Sequence, residues 1–148
     1  MSVISEFRGK YGFLSNFWLS PVALDGMMVP SVEHGFQLAK TKDRRLREAI
    51  LREGLTPGQV KHRCRRIPLR PDWEQVKVGI MLDLLRAKFQ DPDLQAALLA
   101  TGDDILIEGN TWHDTYWGEC RCPKCGGGQN VLGKLLMQVR AELREKNR

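Results

Sequence analysis

The chain has little that would place it in a membrane or carry it out of the cell. No apolar run approaches the roughly 20 residues that a transmembrane helix requires. The first six residues have neither the charged region nor the apolar region of a signal peptide. We therefore expect a cytoplasmic protein without membrane association.

Cysteine is scarce, and its four occurrences do not form the framework of a disulfide-rich secreted domain. Cys64 stands alone, whereas Cys120, Cys122 and Cys125 form a Cys-x-Cys-x-x-Cys cluster beside three glycines. His113 can complete a four-ligand set suited to zinc, although its spacing from the first of these cysteines matches no strong zinc signature. The pattern favours a reduced, metal-free surface loop, with structural zinc as the alternative.

Several familiar catalytic motifs are absent as well. The sequence contains no Gly-x-Ser-x-Gly elbow, no His-Glu-x-x-His motif and no zinc-deaminase pattern. The glycine-rich segment before the last predicted helix is neither a Walker A loop nor a dinucleotide-binding fingerprint. We therefore assign no cofactor and no catalytic metal to the chain.

The length of 148 residues and the apolar share of 42% are typical of one soluble globular domain. Asp25-Gly26 between apolar residues predicts a tight β-hairpin. Caps, prolines and apolar periodicity predict helices after Ser31 (to Thr41), Asp43, Thr56, Pro71 and Asp91, and a last helix that includes Leu132 and Leu143. The predicted fold is mainly α (α+β): a compact single helical domain over residues 1–148 with a few short strands.

Positive charge is concentrated in one part of the chain. The net charge is +5, but residues 40–70 hold eleven basic and three acidic residues, so this basic segment carries +8 and the remainder −3. Such a field attracts phosphate, whether on a nucleotide or on a nucleic acid. A solvated helical face is the simpler interpretation of a basic run alone.

The helix predicted after Ser31 carries the most suggestive polar set. Glu33, Gln37 and Lys40 are spaced i, i+4 and i+7, so they project from one face. The amide can orient a hydroxyl group or water, and the lysine can pair with phosphate or act as a nucleophile beside the carboxylate. On spacing alone, a solvent-facing helix is the better interpretation.

Three other segments combine polar and bulky residues. In residues 110–118, short polar groups such as Asp114 stand beside aromatic rings, which suits a pocket that stacks a base or a sugar. The glycine-rich entry to the last helix fits either a phosphate cradle or a surface turn. Ser15 and Asn16 are expected at the rim of the core, and the neighbouring Phe17 and Trp18 are of types more often found inside it.

Motifs from these segments recur in one family, in order, over nearly the whole chain. They are Phe7-x-Gly9, Phe13-Leu14-Ser15-Asn16-Phe17, Ser31-Val32-Glu33-His34-x-Phe36-Gln37-x-x-Lys40, Arg70-x-Asp72-Trp73, Met81 with Lys88-Phe89, Thr101-Gly102, Leu106-x-Glu108, Asp114-x-x-Trp117-Gly118, Gly128-x-Asn130-x-Leu132-Gly133 and Leu136-Met137-x-x-Arg140. On these motifs the sequence resembles the NADAR family, which includes N-glycosidases of riboflavin-biosynthesis intermediates.

The resemblance implies a hydrolase of EC 3.2.2 type that cleaves an N-glycosidic bond at the anomeric carbon of a ribose. One substrate class is ADP-ribose attached to guanine, so that cleavage reverses a nucleic-acid modification, and the basic segment favours it. The partners would then be ADP-ribosylated DNA and, functionally, an ADP-ribosyltransferase toxin. The alternative class is the ribosylamino-pyrimidine phosphates of riboflavin synthesis.

The resemblance also implies the site. Glu33, Lys40 and Asp114 would be catalytic: the carboxylates stabilise the cation that develops at C1 or move a proton, and the lysine holds phosphate or forms a Schiff base. The implied substrate-binding residues are Arg8, Gly9, Ser15, Asn16, Phe17, Gln37, Trp73, Trp117, Gly118, Asn130 and Gly133. Among them, the two tryptophans would stack the base, and the arginine, both asparagines and the last glycine would lie near phosphate and ribose.

Two other function classes stay open at this point. A non-catalytic module that binds ADP-ribose or NAD would use the same pocket and show tight binding without turnover. A small zinc-stabilised DNA-binding module would rest on the cysteine cluster and the basic segment, but it leaves the Glu33-x-x-x-Gln37-x-x-Lys40 pattern unexplained.

Overall fold

The computed structural model describes residues 2–148. The strands are β1 (Val3–Ile4), β2 (Leu19–Leu24), β3 (Met27–Ser31), β4 (Ile105–Leu106), β5 (Gly109–Asn110) and β6 (Glu119–Cys120). The α-helices are α1 (Val32–Leu38), α2 (Arg44–Arg52), α3 (Pro57–Arg63), α4 (Trp73–Lys88), α5 (Pro92–Ala100) and α6 (Val131–Lys146), and 3-10 helices cover Gly9–Leu14 and Cys64–Arg66. The prediction of a mainly helical fold with a few short strands is confirmed.

Backbone contacts divide the chain into two compact units. The central unit is Asn16–Lys88 and contains β2, β3 and α1 to α4. The terminal unit joins residues 2–15 to Phe89–Arg148 and contains the other strands with α5 and α6. No helix among residues 2–148 is both long enough and apolar enough to cross a membrane.

The central unit begins with the predicted hairpin. β2 and β3 pair antiparallel, with Leu24 opposite Met27. Asp25 and Gly26 between them both have positive φ, at 49° and 81°, as a type I′ turn requires. Alternate residues of each strand are buried, so one face of the hairpin belongs to the core of this unit.

Helix α1 lies at the centre of this unit, against the hairpin, α3 and α4. The hydroxyl oxygen of Ser31 caps it by accepting the backbone N–H of His34 at 3.1 Å. The helix ends at Leu38 rather than at the predicted Thr41. The N–H groups of Lys40 and Thr41 each bond three residues back, at 3.3 Å, so the chain leaves the helix through a tighter turn.

The caps of the other central helices follow the sequence closely. Asp43 caps α2 through the N–H groups of residues 45 and 46, and Gly54, with φ of 67°, follows its end. Thr56 and Gln59 form a reciprocal capping box at the start of α3. Helix α4 begins at Trp73, two residues after the predicted Pro71.

The terminal unit is built around α6, which packs on β4 and α5. β1 pairs with β4 in parallel, with Ile4 opposite Leu106. β5 pairs with β6, also in parallel, with Gly109 opposite Glu119. The predicted strand over residues 105–108 is confirmed only for its first half, since the chain leaves β4 after Leu106.

Gly133 sets how closely α6 approaches β4. A Cβ atom at this position would overlap the backbone carbonyl oxygen of Leu106. We expect Gly133→Ala to lower the free energy of unfolding by about 1–3 kcal/mol, the usual cost of overpacking, as measured by urea denaturation. Gly79→Ala on α4 is the matched control, because nothing lies within 4 Å of its Cβ position and alanine favours the helix. Equal stability of the two variants would contradict this account of the packing.

Candidate active site

Glu33 lies inside the central unit. Its exposed fraction is 6%, that of Gln37 is 3%, and every residue of α1 is buried. The backbone N–H of Glu33 donates to the carbonyl oxygen of Asn16 at 3.0 Å, and Nε2 of Gln37 donates to Oε1 of Glu33 at 3.0 Å. The interpretation of α1 as a solvent-facing helix is therefore wrong, and its two polar residues form a buried pair.

Two buried side-chain oxygens at this pair, one on Gln37 itself and one on the neighbouring Asn16, accept no hydrogen bond. Among the residues that the structure describes, Oδ1 of Asn16 and Oε1 of Gln37 have no hydrogen-bond partner. Nδ2 of Asn16 reaches only the weak acceptor Sδ of Met81, at 3.5 Å. An unsatisfied buried oxygen costs about 1–3 kcal/mol. The arrangement therefore suits a ligand that supplies donors, such as the hydroxyl groups of a sugar.

Lys40 adds a partly buried amine near the carboxylate. Burial lowers the pKa of Lys40, and the negative charge of Glu33 is the largest influence that opposes this shift. A lowered pKa makes the neutral, nucleophilic amine more available near pH 7. Asn16, Glu33, Gln37 and Lys40 together are called the Glu33 centre below.

Aromatic rings near the Glu33 centre differ from the sequence-based expectation. Phe17, which directly follows Asn16, is 44% exposed, and Trp18 is equally exposed. Trp73, by contrast, is buried and packs on Phe36 of α1 with ring centroids 5.0 Å apart. Trp73 is therefore part of the core of this unit, and its stacking on a base stays a prediction. The expectation that Phe17 and Trp18 are core residues is wrong.

Asp114 in the terminal unit organises its own loop. Its Oδ1 accepts the N–H groups of Tyr116, at 3.2 Å, and Trp117, at 2.9 Å. The rings of these two aromatic residues meet edge to face with centroids 5.0 Å apart, and that of Trp117 is half-buried. The catalytic role of Asp114 and the stacking role of Trp117 stay predictions.

The structure gives Asn130 a structural role. Its Nδ2 donates to the carbonyl oxygen of Leu106 at 2.9 Å, and its Oδ1 accepts the N–H of Glu108 at 3.0 Å. Both ends of the side-chain amide thus bond the backbone beside β4, and the predicted contact of Asn130 with phosphate or ribose stays a prediction. Its φ of 50° directs the chain into α6.

The start of α6 is not a phosphate cradle. The N–H groups of residues 130–132 donate to the carbonyl oxygens of residues 116–118 at 3.0–3.2 Å, so they are already satisfied. A Cβ at Gly118 would overlap the carbonyl oxygen of Glu108, as one at Gly133 would overlap that of Leu106. Both glycines are therefore required for close backbone packing, and their predicted contacts with substrate stay predictions.

The N-terminal set lies around the first 3-10 helix. Arg8 is exposed and precedes this helix, and Gly9 begins it with a φ of 58°, which favours glycine. Ser15 ends it by donating its N–H to the carbonyl oxygen of Gly12 at 2.9 Å. Their substrate contacts stay predictions.

The predicted site residues therefore separate into two groups. Six belong to the central unit and eight to the terminal unit. The structure brings Asn16, Gln37 and Lys40 together around Glu33. In the terminal unit it brings together four metal-ligand side chains, those of His113, Cys120, Cys122 and Cys125.

Sequence reasoning missed the unusual state of Lys88. The side chain is only 1% exposed. Its place on the same side of α4 as the buried Met81 and Leu84 is the sequence signal that could have revealed this burial. Burial lowers the pKa of Lys88 to about 7.

The buried lysine predicts a pH-dependent stability. Between about pH 7 and the ordinary lysine pKa of 10.5, the unfolded chain binds this proton and the folded chain does not. The free energy of unfolding should therefore rise with pH in this interval, by up to about 1.4 kcal/mol per unit. Urea denaturation from pH 7 to 9 is expected to give a smaller slope for Lys88→Met than for the wild type. Parallel slopes would contradict the lowered pKa.

Comparisons with known proteins show to which family the chain belongs. The family model described as "NADAR domain" matches residues 5–144. The chain belongs to the NADAR family. "N-glycosidase YbiA" of Escherichia coli K12 is 43% identical over 135 residues, which cover 90% of this chain and 82% of that protein. The NMR structure of Escherichia coli YbiA matches with a TM-score of 0.83 at 39% identity, over 99% of this chain and 87% of that one.

Another NADAR relative carries a different name. "Riboflavin biosynthesis protein VVA0006" of Vibrio vulnificus is 39% identical over 92% of this chain, which covers 36% of that longer protein. Several homologues of this NADAR chain are named N-glycosidases, which are hydrolases that act on N-glycosyl bonds.

Proposed function

We propose that this NADAR chain is an N-glycosidase that uses the Glu33 centre to hydrolyse the bond between ribose C1 and a nitrogen. We further propose that it removes ADP-ribose from guanine bases of nucleic acid. The observation that carries the first proposal is a buried carboxylate flanked by two buried oxygens without donors. Such a site matches a sugar, because ribose hydroxyls can donate to Asn16 and Gln37.

Glu33 supplies the charge that the reaction needs. As the C1–N bond breaks, the sugar ring gains oxocarbenium character, and a fixed carboxylate in a water-poor site stabilises the developing positive charge. Water then adds to C1, and the departing base leaves with a proton. The hydrogen bond from Gln37 holds the carboxylate in one orientation, so little reorganisation is needed during the reaction.

Lys40 has two possible roles within this proposal. As a cation, it binds a substrate phosphate. As a neutral amine, which its lowered pKa favours, it adds to C1 of the ring-opened sugar and forms an aminal that still holds the base. The base then leaves with a proton, which turns the aminal into a lysine imine, and water hydrolyses the imine to free both the sugar and the lysine.

The surface of the central unit supports a polyanionic substrate. In the basic segment, five exposed basic residues have no acidic partner within salt-bridge distance among residues 2–148: Lys42, Arg45, Arg52, Arg65 and Arg66. These unpaired charges would attract the backbone of a nucleic acid. An ADP-ribosyltransferase toxin that modifies guanine would supply the substrate of such an enzyme.

A second candidate substrate is a ribosylamino-pyrimidine phosphate of riboflavin synthesis. The observation in its favour is the riboflavin-related name of the Vibrio relative. The same Glu33 centre serves both substrates, because both present a ribose C1–N bond. What separates them is the size and charge of the group attached to the sugar.

A product assay on both substrates tests the proposal. We expect free ADP-ribose to be released from an oligonucleotide that carries ADP-ribose on guanine. If ribose 5-phosphate is released from the pyrimidine intermediate but no ADP-ribose is released from the oligonucleotide, the pyrimidine intermediate is the substrate and the proposal for guanine is wrong. Tight ADP-ribose binding without turnover of either substrate would identify a non-catalytic binding module and contradict both.

A charge variant gives the assay a matched control. Replacing Arg45 and Arg52 by Gln removes two exposed charges of the basic segment on α2, outside the Glu33 centre. If a nucleic acid is the substrate, KM for the oligonucleotide should rise and become less sensitive to salt, while hydrolysis of a small ADP-ribosyl-guanine nucleoside stays unchanged. An unchanged KM would show that the charges of the basic segment do not support a nucleic acid as the substrate.

A further inference from the structure

The cysteine loop of the terminal unit brings four ligand atoms together. The thiol–imidazole cluster consists of His113, Cys120, Cys122 and Cys125, and one ligand atom from each lies within 4.8 Å of all the others. These four residues span thirteen positions of the chain, so their convergence is a property of the fold rather than of adjacency. None of the three cysteines forms a disulfide.

The spacing of these atoms fits a tetrahedral metal ion. Nδ1 of His113 lies 3.3 Å from Sγ of Cys125, 3.4 Å from Sγ of Cys122 and 4.0 Å from Sγ of Cys120. Bond lengths of 2.0–2.1 Å to nitrogen and 2.3 Å to sulfur give a nitrogen–sulfur separation of about 3.5 Å around tetrahedral zinc. Small side-chain adjustments would therefore place all four atoms on one ion.

The backbone fixes two of the ligands in a turn. Cys122 and Cys125 have the Cys-x-x-Cys spacing that is common in structural zinc sites. The N–H of Cys125 donates to Sγ of Cys122 at 3.3 Å, and the N–H of Gly126 donates to the carbonyl oxygen of Cys122 at 3.2 Å. Gly126 has a φ of 60°, so glycine suits the point at which the chain turns back. A backbone N–H to a ligand sulfur is the kind of outer contact that orients metal ligands.

The other two ligands are fixed by strand pairing and by an unusual backbone angle. Cys120 and Gly127 exchange two backbone hydrogen bonds, of 2.8 and 2.9 Å, which close the loop. Cys120 also pairs with Asn110 across β5 and β6. His113 has a φ of 69°, an uncommon conformation for a residue with a side chain, and this conformation directs its imidazole to the thiols.

We propose that the thiol–imidazole cluster binds one Zn²⁺ ion in a closed, structural site. Three cysteine sulfurs with one imidazole nitrogen form a common ligand set of structural zinc, and four protein ligands leave no position for a substrate. Soft sulfur ligands disfavour Mg²⁺ and Ca²⁺, which prefer oxygen. The inference does not depend on the proposed function, and it reverses the preference for a metal-free loop that the sequence alone suggested.

The zinc ion would act on the neighbouring aromatic loop. His113 directly precedes Asp114, whose carboxylate holds the N–H groups of Tyr116 and Trp117. Fixing the imidazole on a metal therefore fixes the start of that turn. The role of the ion, in this account, is to order residues 113–125 and not to take part in a reaction.

Metal content and cobalt spectroscopy on the full chain test the proposal. We expect one equivalent of zinc in protein purified without chelator, measured by plasma mass spectrometry. Cobalt added to the metal-free protein should give the visible bands of tetrahedral Co²⁺ together with thiolate-to-cobalt charge transfer. Substoichiometric zinc from zinc-supplied cells, or cobalt spectra without charge transfer, would overturn the site.

Variants assign the ligands. Cys122→Ser and Cys125→Ser should each weaken Co²⁺ binding by more than about 100-fold, whereas Cys64→Ser, in the central unit, should leave it unchanged. A chelator should lower Tm of the wild type and of Cys64→Ser but not of the double variant that combines Cys122→Ser with Cys125→Ser. Stoichiometric metal that survives in the double variant would place the ion elsewhere. The wild-type cobalt spectrum decides the proposal even if a variant fails to fold.

Discussion

Glu33→Gln is expected to lower kcat by at least about 100-fold and to leave ligand binding nearly unchanged. Glutamine has the same shape as glutamate, and its side-chain oxygen can accept the hydrogen bond that Nε2 of Gln37 gives to Glu33. The variant therefore keeps the packing of α1 and removes only the charge that stabilises an oxocarbenium-like transition state. A loss of this size is the lower end for a positioned electrostatic or acid–base group.

Single-turnover kinetics and calorimetric binding of ADP-ribose measure the two halves of this expectation. Glu74→Gln, which removes a carboxylate from the exposed face of α4, is the matched control and should keep full activity. Near-normal kcat in Glu33→Gln would remove Glu33 from the chemistry. Loss of both activity and thermal stability would instead assign it a purely structural role.

Lys40→Arg is expected to abolish turnover, with kcat lowered by at least about 100-fold, while ADP-ribose still binds. Arginine keeps the positive charge but cannot form an imine, and it does not give up its proton near neutral pH. The expectation follows from the lowered pKa of Lys40, because burial favours the neutral amine that either imine formation or proton transfer requires. Lys42→Arg, at an exposed position two residues away, is the control.

Borohydride trapping separates the chemical roles of Lys40. A reduced protein–sugar adduct at Lys40, located by peptide mass spectrometry, would show the covalent route. An inactive Lys40→Arg variant without a trapped adduct in the wild type would indicate proton transfer. Activity that survives in Lys40→Arg would contradict both and leave Lys40 as a phosphate-binding cation.

Helix boundaries were predictable because their causes are local. Asp43 and Asp91 cap the next turn through their own side chains, and Gly54 follows a helix end at a positive φ. These interactions involve residues two or three positions apart, so the sequence contains them directly. Helix α1 ends before the predicted Thr41 because its last turn tightens, and no single residue type predicts such a change.

The roles of the site residues were less predictable, because a motif contains both the residues that contact a ligand and those that hold the fold. Asn130 and Gly133 lie in one motif, and the structure uses both to pack α6 against β4. The family resemblance implies that Trp73 stacks on the substrate's base, whereas its ring packs on Phe36, which is 37 positions away in the chain. Burial across such separations comes from tertiary packing, which spacing does not encode.

The buried side-chain oxygens of Asn16 and Gln37, which accept no hydrogen bond from residues 2–148, also affect how this protein tolerates mutation. A buried amide with an unsatisfied oxygen makes the ligand-free fold less stable than an apolar side chain of similar shape would make it. A screen that reads only folded abundance would therefore accept, and even enrich, Leu at Asn16, whose side-chain amide donates only to the sulfur of Met81, whereas a screen that reads hydrolysis would reject it. Gln37 differs, because its Nε2 donates to the buried carboxylate of Glu33. At Asn16 stability and activity are opposed, so directed evolution towards heat resistance alone would alter the Glu33 centre there first.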